Sequence, residues 1–232
     1  FALSMIVNPE RQAATEIERL LRYPGFLKRD TFAKGRMEIV ELKIDTGSKL
    51  CNVTLSSLNV LVKCRVLVCA VLRDGKAIAP DGNFVLHAGD RVFVTAPTEV
   101  LSEMLKNLGI VTHRASRVML IGGGKISYYL AQALEESHLD VQLIERDPDI
   151  CIQLAKTLPG TTVIQGDAAD RSVLEGEGVA SCDALVTLTG LDELNMVISL
   201  YGNSFGVPQI ITKVGRVEDG RVLDSLPLGS II

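Results

Sequence analysis

The chain has 232 residues, 47% of them hydrophobic, and a net charge of −4, the balance of a folded polypeptide of one large or two modest domains, which excludes a disordered chain. Its longest uninterrupted apolar run, Val66 to Leu72, has seven residues against the roughly 18 of a membrane-spanning helix, so no direct insertion into a bilayer is expected. From Ser116 onward 8 basic residues stand against 16 acidic ones, and before it 16 against 12; so acidic a second half repels a polyanion, and nucleic acid is not an expected partner.

The first residues, FALSMIVNPE, carry no basic n-region and no small-residue cleavage site, so a secretory signal is not expected. Without an initiator methionine the chain reads as a piece of a longer one. In NPERQAATEIERLLRYPG the spacing predicts a helix. Asn8 caps it, Pro9 opens it, Glu10 suits the positive end of its dipole, and Tyr23-Pro24-Gly25 ends it. Ala13, Ile17, Leu20 and Leu21 line one face. Residues 1–37 form a first segment, mostly helical. ALSMIV at its start echoes PLGSII at 227–232, Leu3 matching Leu228 and Ile6 matching Ile231. If the echo is real, residues 1–37 are the tail of a preceding nucleotide-binding unit in a tandem repeat.

Residues 38–112 read as a small α+β domain. MEIVELKI alternates, CRVLVCAVL reads as a buried strand, Arg73-Asp74-Gly75-Lys76 is a hairpin signal, and FVLHAGDRVFVTAP holds two short strands around Ala88-Gly89-Asp90, followed by a helix from Pro97 to Leu108. Five cysteines, Cys51, Cys64, Cys69, Cys151 and Cys182, form no CxxC pair and no spacing that suits a zinc site, and their odd number fits poorly with a disulfide framework. They read as reduced cytosolic thiols, with Cys64 and Cys69 as small buried hydrophobes.

Residues 113–232 alternate strand and helix as βαβ units do. Strands are expected at Arg117–Ile121, Val141–Ile144, Thr162–Ile164, Ala184–Leu188, Gln209–Lys213 and Ser230–Ile232, in the doubly wound order 3-2-1-4-5-6 of a Rossmann-like parallel sheet. Ile126, Tyr129, Leu130, Ala133 and Leu134 supply the stripe of the first crossover helix, and Asp147-Pro148 opens the second.

The chemistry concentrates where the first of these strands ends, at Gly122-Gly123-Gly124. Glycine lets the main chain approach a ligand, and a helix start offers unpaired N–H donors to an anion. Gly122, Gly124 and Ser127 occupy the three positions of a GxGxxG fingerprint, Ser127 replacing the usual small third residue. Such a fingerprint is weak alone. Here it follows a strand, opens a helix, and has Glu145 23 residues on, at the end of the second strand, where a carboxylate accepts hydrogen bonds from ribose hydroxyls. A 2′-phosphate beside that carboxylate would juxtapose like charges, so NAD or an adenine nucleotide is expected over NADP. Arg146 either turns inward to extra phosphate or lies solvated on the surface. Asp167 lies near the adenosine end or caps the helix of DAADRSVLE. Thr189 and Gly190 follow the fourth strand at the ligand-binding edge, Asp192 reads as the cap of the next helix, and Lys213 either reaches phosphate or meets a neighbouring acid.

No catalytic residue is assigned. His87, His113 and His138 fall in a turn, a linker and a helix end, no tyrosine has a lysine four residues on, and no acid or base stands where a nicotinamide would meet a substrate.

RVMLIGGGKISYYLAQALEE, VQLIERD, VIQGDAAD, ALVTLTGLDELN and IITKV together resemble the nucleotide-binding domain that regulates potassium conductance, the RCK or KTN domain. EIVELKIDTGSKLCNVTLSSL and AVLRDGKAIAPDGNFVLHAGDRVFVTAP resemble its companion C-terminal domain, and the order is similar to the central part of TrkA-type cytosolic subunits of bacterial Trk potassium uptake. The resemblance implies binding of NAD(H), and in some members ATP or ADP, by a non-enzymatic regulatory subunit. It implies homo-oligomeric rings beneath a membrane-embedded potassium transporter, hence a cytoplasmic place at the inner face of the membrane. Carried over, it places pyrophosphate on Gly122, Gly123, Gly124, Lys125 and Ile126, ribose on Glu145, adenosine near Asp167, and further contacts on Thr189, Gly190 and Lys213. The alternatives are an NAD-dependent oxidoreductase fragment without its catalytic part, and a scaffold with an empty cleft.

Overall fold

The computed structural model describes residues 8–22, 28–32, 37–109, 115–215, 223 and 226–232. Leu3 and Ile6 of the terminal echo, the Tyr23-Pro24-Gly25 helix stop and His113 lie outside them. The chain forms two compact units, one of residues 1–22 with 115–232 and the other of residues 23–114.

In the second, companion unit, strands β1 (Lys28–Phe32), β2 (Met37–Lys43), β3 (Leu67–Arg73), β4 (Lys76–Ile78) and β5 (Arg91–Ala96) make an antiparallel sheet of order β1-β2-β5-β3-β4. Helices α2 (Leu55–Val62) and α3 (Thr98–Leu108) bury Leu58, Val62, Leu101, Met104 and Leu105 against Val40, Leu42, Val71, Val92 and Val94 of the sheet. The turn at Asp74-Gly75 sets Arg73 opposite Lys76, as its sequence predicts. Three expectations differ. Residues 28–32, placed by sequence in the first segment, pair with Glu38–Glu41 and Met37 in this sheet. The strand expected before Ala88 is reduced to a single bridge between Val85 and Thr54. β3 is not buried on both faces: Leu67 is 63% exposed and Cys69 is exposed, because α2 and α3 cover one side of an antiparallel sheet.

The first unit is built on six parallel strands, β6 (Arg117–Ile121), β7 (Asp140–Glu145), β8 (Thr161–Gln165), β9 (Ala184–Thr187), β10 (Gln209–Thr212) and β11 (Ser230–Ile231). Their order, β11-β10-β9-β6-β7-β8, is the doubly wound order expected from the sequence. Alternate residues of each strand serve opposite faces. Val118, Leu120, Val141, Leu143 and Val186 face α4 (Lys125–Glu136) and α5 (Pro148–Thr157); Met119, Ile121, Ile144, Leu185 and Ile210 face α6 (Arg171–Gly176) and α7 (Asp192–Ser204). Both faces are therefore apolar, as a parallel sheet requires.

In a doubly wound sheet the connections of the two halves lie on opposite faces, so α4 and α5 do not extend over β9 and β10 on their own side. That place is taken by α1 (Pro9–Arg22), which precedes the companion unit in sequence. Its Ala14, Ile17, Leu20 and Leu21 share one core with Leu130 and Leu134 of α4 and with Ala184, Val186 and Ile211. Gln209 Nε2 donates to the Leu20 carbonyl at 2.7 Å. This explains why α4 carries two apolar faces: Ser127, Leu130, Ala131 and Leu134 are buried, while Ile126 and Tyr129, expected in the same stripe, are partly buried against the same core. Asn8 Oδ1 accepts the Arg11 N–H at 3.0 Å, the cap its sequence predicts. Replacing Asn8 by alanine is expected to lower the stability of this unit by about 1 kcal/mol, measured by urea unfolding followed by circular dichroism.

Candidate nucleotide site

β6 and β9 are neighbours in the sheet but run on to opposite halves of it, so the crevice beyond their carboxyl ends is the place where ligands bind in such folds. Two loops flank it. One is Gly122-Gly123-Gly124, between β6 and α4; the other is Leu188 to Leu191, between β9 and α7.

Gly122 has φ +98°, and a Cβ there would lie 3.1 Å from the Leu188 carbonyl oxygen and from Thr189 backbone atoms, so only glycine lets the two loops lie side by side. A Cβ on Gly123 would meet Ile150 Cγ2 and Leu154 Cδ1 at 2.8 Å and Glu145 Cγ at 3.0 Å. The Gly124 side instead faces open space, with nothing within 4 Å of a Cβ.

The backbone donors divide accordingly. Gly122 N–H bonds the Ile144 carbonyl at 2.9 Å, and Gly123 N–H donates to Glu145 Oε2 at 2.5 Å. Gly124 is the N-cap of α4 without a side-chain cap, so the first N–H groups of that helix, on Lys125 and Ile126, have no intrahelical acceptor. They border the open side of the loop, where an anion would receive both hydrogen bonds and the positive helix end.

Glu145 holds a more committed position than its sequence alone indicates. Its Oε1 accepts the Asp147 N–H at 2.7 Å while Oε2 holds Gly123. Each carboxylate oxygen keeps a further lone pair for a ribose hydroxyl. Cys151, whose Sγ lies 3.4 Å from the Glu145 carbonyl, has its thiol pushed above the ordinary value, first by burial and then by the Glu145 carboxylate. Cys182 is pushed up to about 11, chiefly by burial.

The other expected residues are distributed as follows. Arg146 is exposed. Asp167 is exposed and accepts the Ala169 N–H at 2.9 Å. The cap of α6 is Asp170, which accepts the Ser172 N–H at 2.9 Å; its carboxyl is held below the ordinary value by the Ser172 hydroxyl and N–H. Asp192 is the first residue of α7, and its Oδ2 accepts the Gly215 N–H at 2.9 Å. It thus ties the helix start to the end of β10 and does not cap it. Lys213 pairs with no acid among the described residues: its Nζ donates to the Thr189 carbonyl at 3.0 Å. Gly190 is exposed with open space on its side-chain side. Ser127 is 0% exposed, and its hydroxyl has no hydrogen-bond partner in the structure. That burial costs on the order of 1–3 kcal/mol that a glycine would avoid.

Asn195, to which the sequence assigns no role, belongs to the site. It is 0% exposed. Its Oδ1 accepts from Thr189 N–H at 2.9 Å and from Thr189 Oγ1 at 2.7 Å, and its Nδ2 donates to the carbonyls of Lys213 at 3.0 Å and Thr189 at 3.3 Å. One side chain therefore sets the height of the Thr189 loop against the end of β10. The only signal available in sequence was an asparagine in the first turn of the helix that follows Thr189-Gly190. Among the described residues no three His, Cys, Asp or Glu side chains are placed to hold a metal ion, and no helix is long and apolar enough to cross a membrane.

The TrkA-C domain family matches residues 39–109, and the TrkA-N domain family matches residues 118–232. The chain is 34% identical over 215 residues to the Trk system potassium uptake protein TrkA of Haemophilus influenzae, covering 91% of this chain and 46% of that one. It is 33% identical over 223 residues to the TrkA homologue of Archaeoglobus fulgidus, covering 96% and 50%. The chain thus spans about half the length of the curated relatives it matches. Among solved structures, the GsuK RCK domain superposes with a TM-score of 0.63 at 16% identity over 99% of this chain and 49% of that one. The GsuK channel bound to NAD gives 0.61 at 16% identity over 98% and 40%. A TrkA-C domain, a TrkA-N domain and an RCK-type fold in this order place the chain in the TrkA family of RCK-domain proteins.

Proposed function

We propose that the chain is the nucleotide-sensing part of a regulatory subunit that controls a membrane potassium-uptake transporter, with NAD or NADH as its ligand and ATP or ADP as competitors for the same cleft. The observation that carries this reading is the start of α4. Its N-terminal donors lack a cap, they border the one open side of the glycine loop, and Glu145 stands beside them at the end of β7. No acid–base pair accompanies them at that edge among the described residues, so the site is read as one that binds a nucleotide without transforming it. The family membership and the NAD-bound channel of the same fold support the same reading.

Pyrophosphate rests on Gly124, Lys125 and Ile126, and the adenosine ribose on Glu145. Asp167, Thr189, Gly190 and Lys213 line the remainder, with Arg146 at its outer margin. Residues up to α1 are read as the tail of a preceding nucleotide-binding unit, which agrees with relatives about twice this length. The subunit assembles with copies of itself at the inner face of the membrane through its transporter. A nucleotide regulates it by binding one arrangement of paired units more tightly than another, and only that difference in affinity moves the equilibrium.

The test is calorimetric titration of this chain with NADH, NAD, ADP and ATP. At least one is expected to bind, and Glu145→Ala is expected to weaken it about tenfold or more, since hydrogen bonds to a charged group contribute about 1.5–3 kcal/mol. Nucleotide binding that is unaffected by Glu145→Ala would remove the ribose assignment. Loss of nicotinamide absorbance on adding carbonyl compounds to the NADH complex would replace a sensor with an oxidoreductase.

A further inference from the structure

Lys125 is the first residue of α4, and a cation there opposes the helix dipole unless an anion stands beside it. The structure supplies that anion from an unexpected element. Glu10, in the first turn of α1, places Oε1 3.7 Å from Lys125 Nζ. The position of Glu10 is fixed by what precedes it. Asn8, which caps α1, also donates from Nδ2 to the Tyr129 hydroxyl of α4 at 3.3 Å, so the start of α1 is moored one turn along from the glycine loop.

The pair is loose. The Lys125 side chain is 79% exposed and that of Glu10 35%, and exposed pairs of this kind contribute little to stability. Lys125 can therefore exchange Glu10 for a ligand phosphate at small cost, but the displaced carboxylate stays where α1 holds it. Every further negative charge brought into the cleft then meets Glu10 at short range. A dinucleotide brings only a pyrophosphate; ATP brings a more highly charged triphosphate chain.

We infer that Glu10 is a specificity-determining residue of the nucleotide site, which disfavours ligands with a charged polyphosphate end relative to dinucleotides by claiming Lys125 and repelling the extra charge. This rests on the nucleotide-binding reading above. It also makes the site composite, because Glu10 comes from the chain segment before the companion unit and the glycine loop from the segment after it.

The experiment is calorimetric titration of the 232-residue chain with ATP and with NADH, in unaltered form and as Glu10→Gln and Glu10→Asp, each at low and high salt. Glu10→Gln is expected to tighten ATP about threefold to tenfold and NADH less than about twofold, the size expected for removal of one like charge at the protein surface. The change in the ATP-to-NADH ratio is expected to shrink at high salt, as screened charges require, and Glu10→Asp is expected to keep the original ratio. An ATP-to-NADH ratio unchanged by Glu10→Gln, a change insensitive to salt, or Glu10→Asp behaving as Glu10→Gln would each overturn the inference. Failure of the unaltered chain to bind any nucleotide would overturn the binding reading as well, whereas binding with an unchanged ratio overturns this inference alone.

Discussion

Asp90→Ala is expected to unfold the companion unit under conditions where the unaltered chain stays folded. Asp90 is 1% exposed. Arg73 clasps it with both arms of its guanidinium, Nε to Oδ1 and Nη2 to Oδ2, each at 2.7 Å, and Nη2 also donates to the Val85 carbonyl at 2.7 Å. The His87 N–H donates to Asp90 Oδ2 at 2.8 Å, and the guanidinium lies 4.7 Å from the centre of the Phe84 ring. One carboxylate thus joins β3 to the turn leading into β5. Its removal leaves a guanidinium without its counter-charge and a backbone N–H without its acceptor. Truncating one partner of a buried pair costs about 3–5 kcal/mol, and the partial exposure of Arg73 puts the expected loss at about 2–4 kcal/mol. Against a total of about 5–15 kcal/mol for a domain, this is a large share.

The same pair makes the companion unit acid-sensitive. The Arg73 hydrogen bonds hold the Asp90 carboxyl below the ordinary aspartate value, against the opposing effect of burial and with help from the His87 N–H. A lowered folded value means that the stabilisation is fully present above the unfolded aspartate value, about 4, and is lost as pH falls through the folded one. Calorimetric unfolding from pH 6 to pH 2 should show the companion transition of the unaltered chain falling steeply below about pH 4, and that of Asp90→Asn falling less. Equal slopes in the two would remove the pair from the account.

Asn195→Ala is expected to have a comparable effect on the other unit, with a functional consequence. The part-buried Thr189 N–H and hydroxyl lose their acceptor and the Lys213 carbonyl loses a donor, while the Thr189 carbonyl keeps the Lys213 ammonium. At about 1–3 kcal/mol for a buried group left unsatisfied, reduced where water reaches the loop side, the expected loss is about 2–3 kcal/mol. Asn195→Asp keeps the acceptor and loses the donor, and should fall between. The loop that Asn195 holds is half of the cleft, so nucleotide affinity should drop in Asn195→Ala even at temperatures where it is folded. Thermal melting with and without NADH reads both at once, since a ligand selective for the native state raises its melting temperature. An Asn195→Ala protein as stable as its parent would show that water replaces the side chain without penalty.

These residues also mark where the sequence stops being legible. Strand positions, the Asn8 and Asp147 caps and the Asp74-Gly75 hairpin follow from local pattern, because apolar periodicity and turn chemistry act over a few residues, and strand order follows from the fold class that their alternation implies. Asp147 Oδ1 does accept from Asp149 and Ile150 N–H groups, at 2.8 and 3.2 Å. The caps missed were those with two acids within one turn. In DAADRS both Asp167 and Asp170 suit a cap, and only the point at which the backbone turns helical decides for Asp170. Contacts between distant segments left no trace of their target. The α1 stripe announces a buried face but not that its partners lie in β9 and β10. Glu145 reads as a ribose acceptor, while its hold on Gly123 depends on the way α5 folds back beside the loop. Nothing in the local sequence tells Asn195 from a polar residue on the outer side of a helix. Only the meeting of two strand ends makes it a bracket.

The place of α1 bears on how the chain is made. Synthesis delivers α1 before the strands it covers, and the whole of residues 23–114 must leave the ribosome between them. The companion unit, whose strands and helices are all drawn from that stretch, can complete itself in the meantime. The nucleotide-binding unit cannot, because its last layer waits on a pairing between segments on either side of the companion unit, the kind of distant closure that slows folding. Ile17, Leu20 and Leu21 meet their partners in α4, β9 and β10 only after that interval.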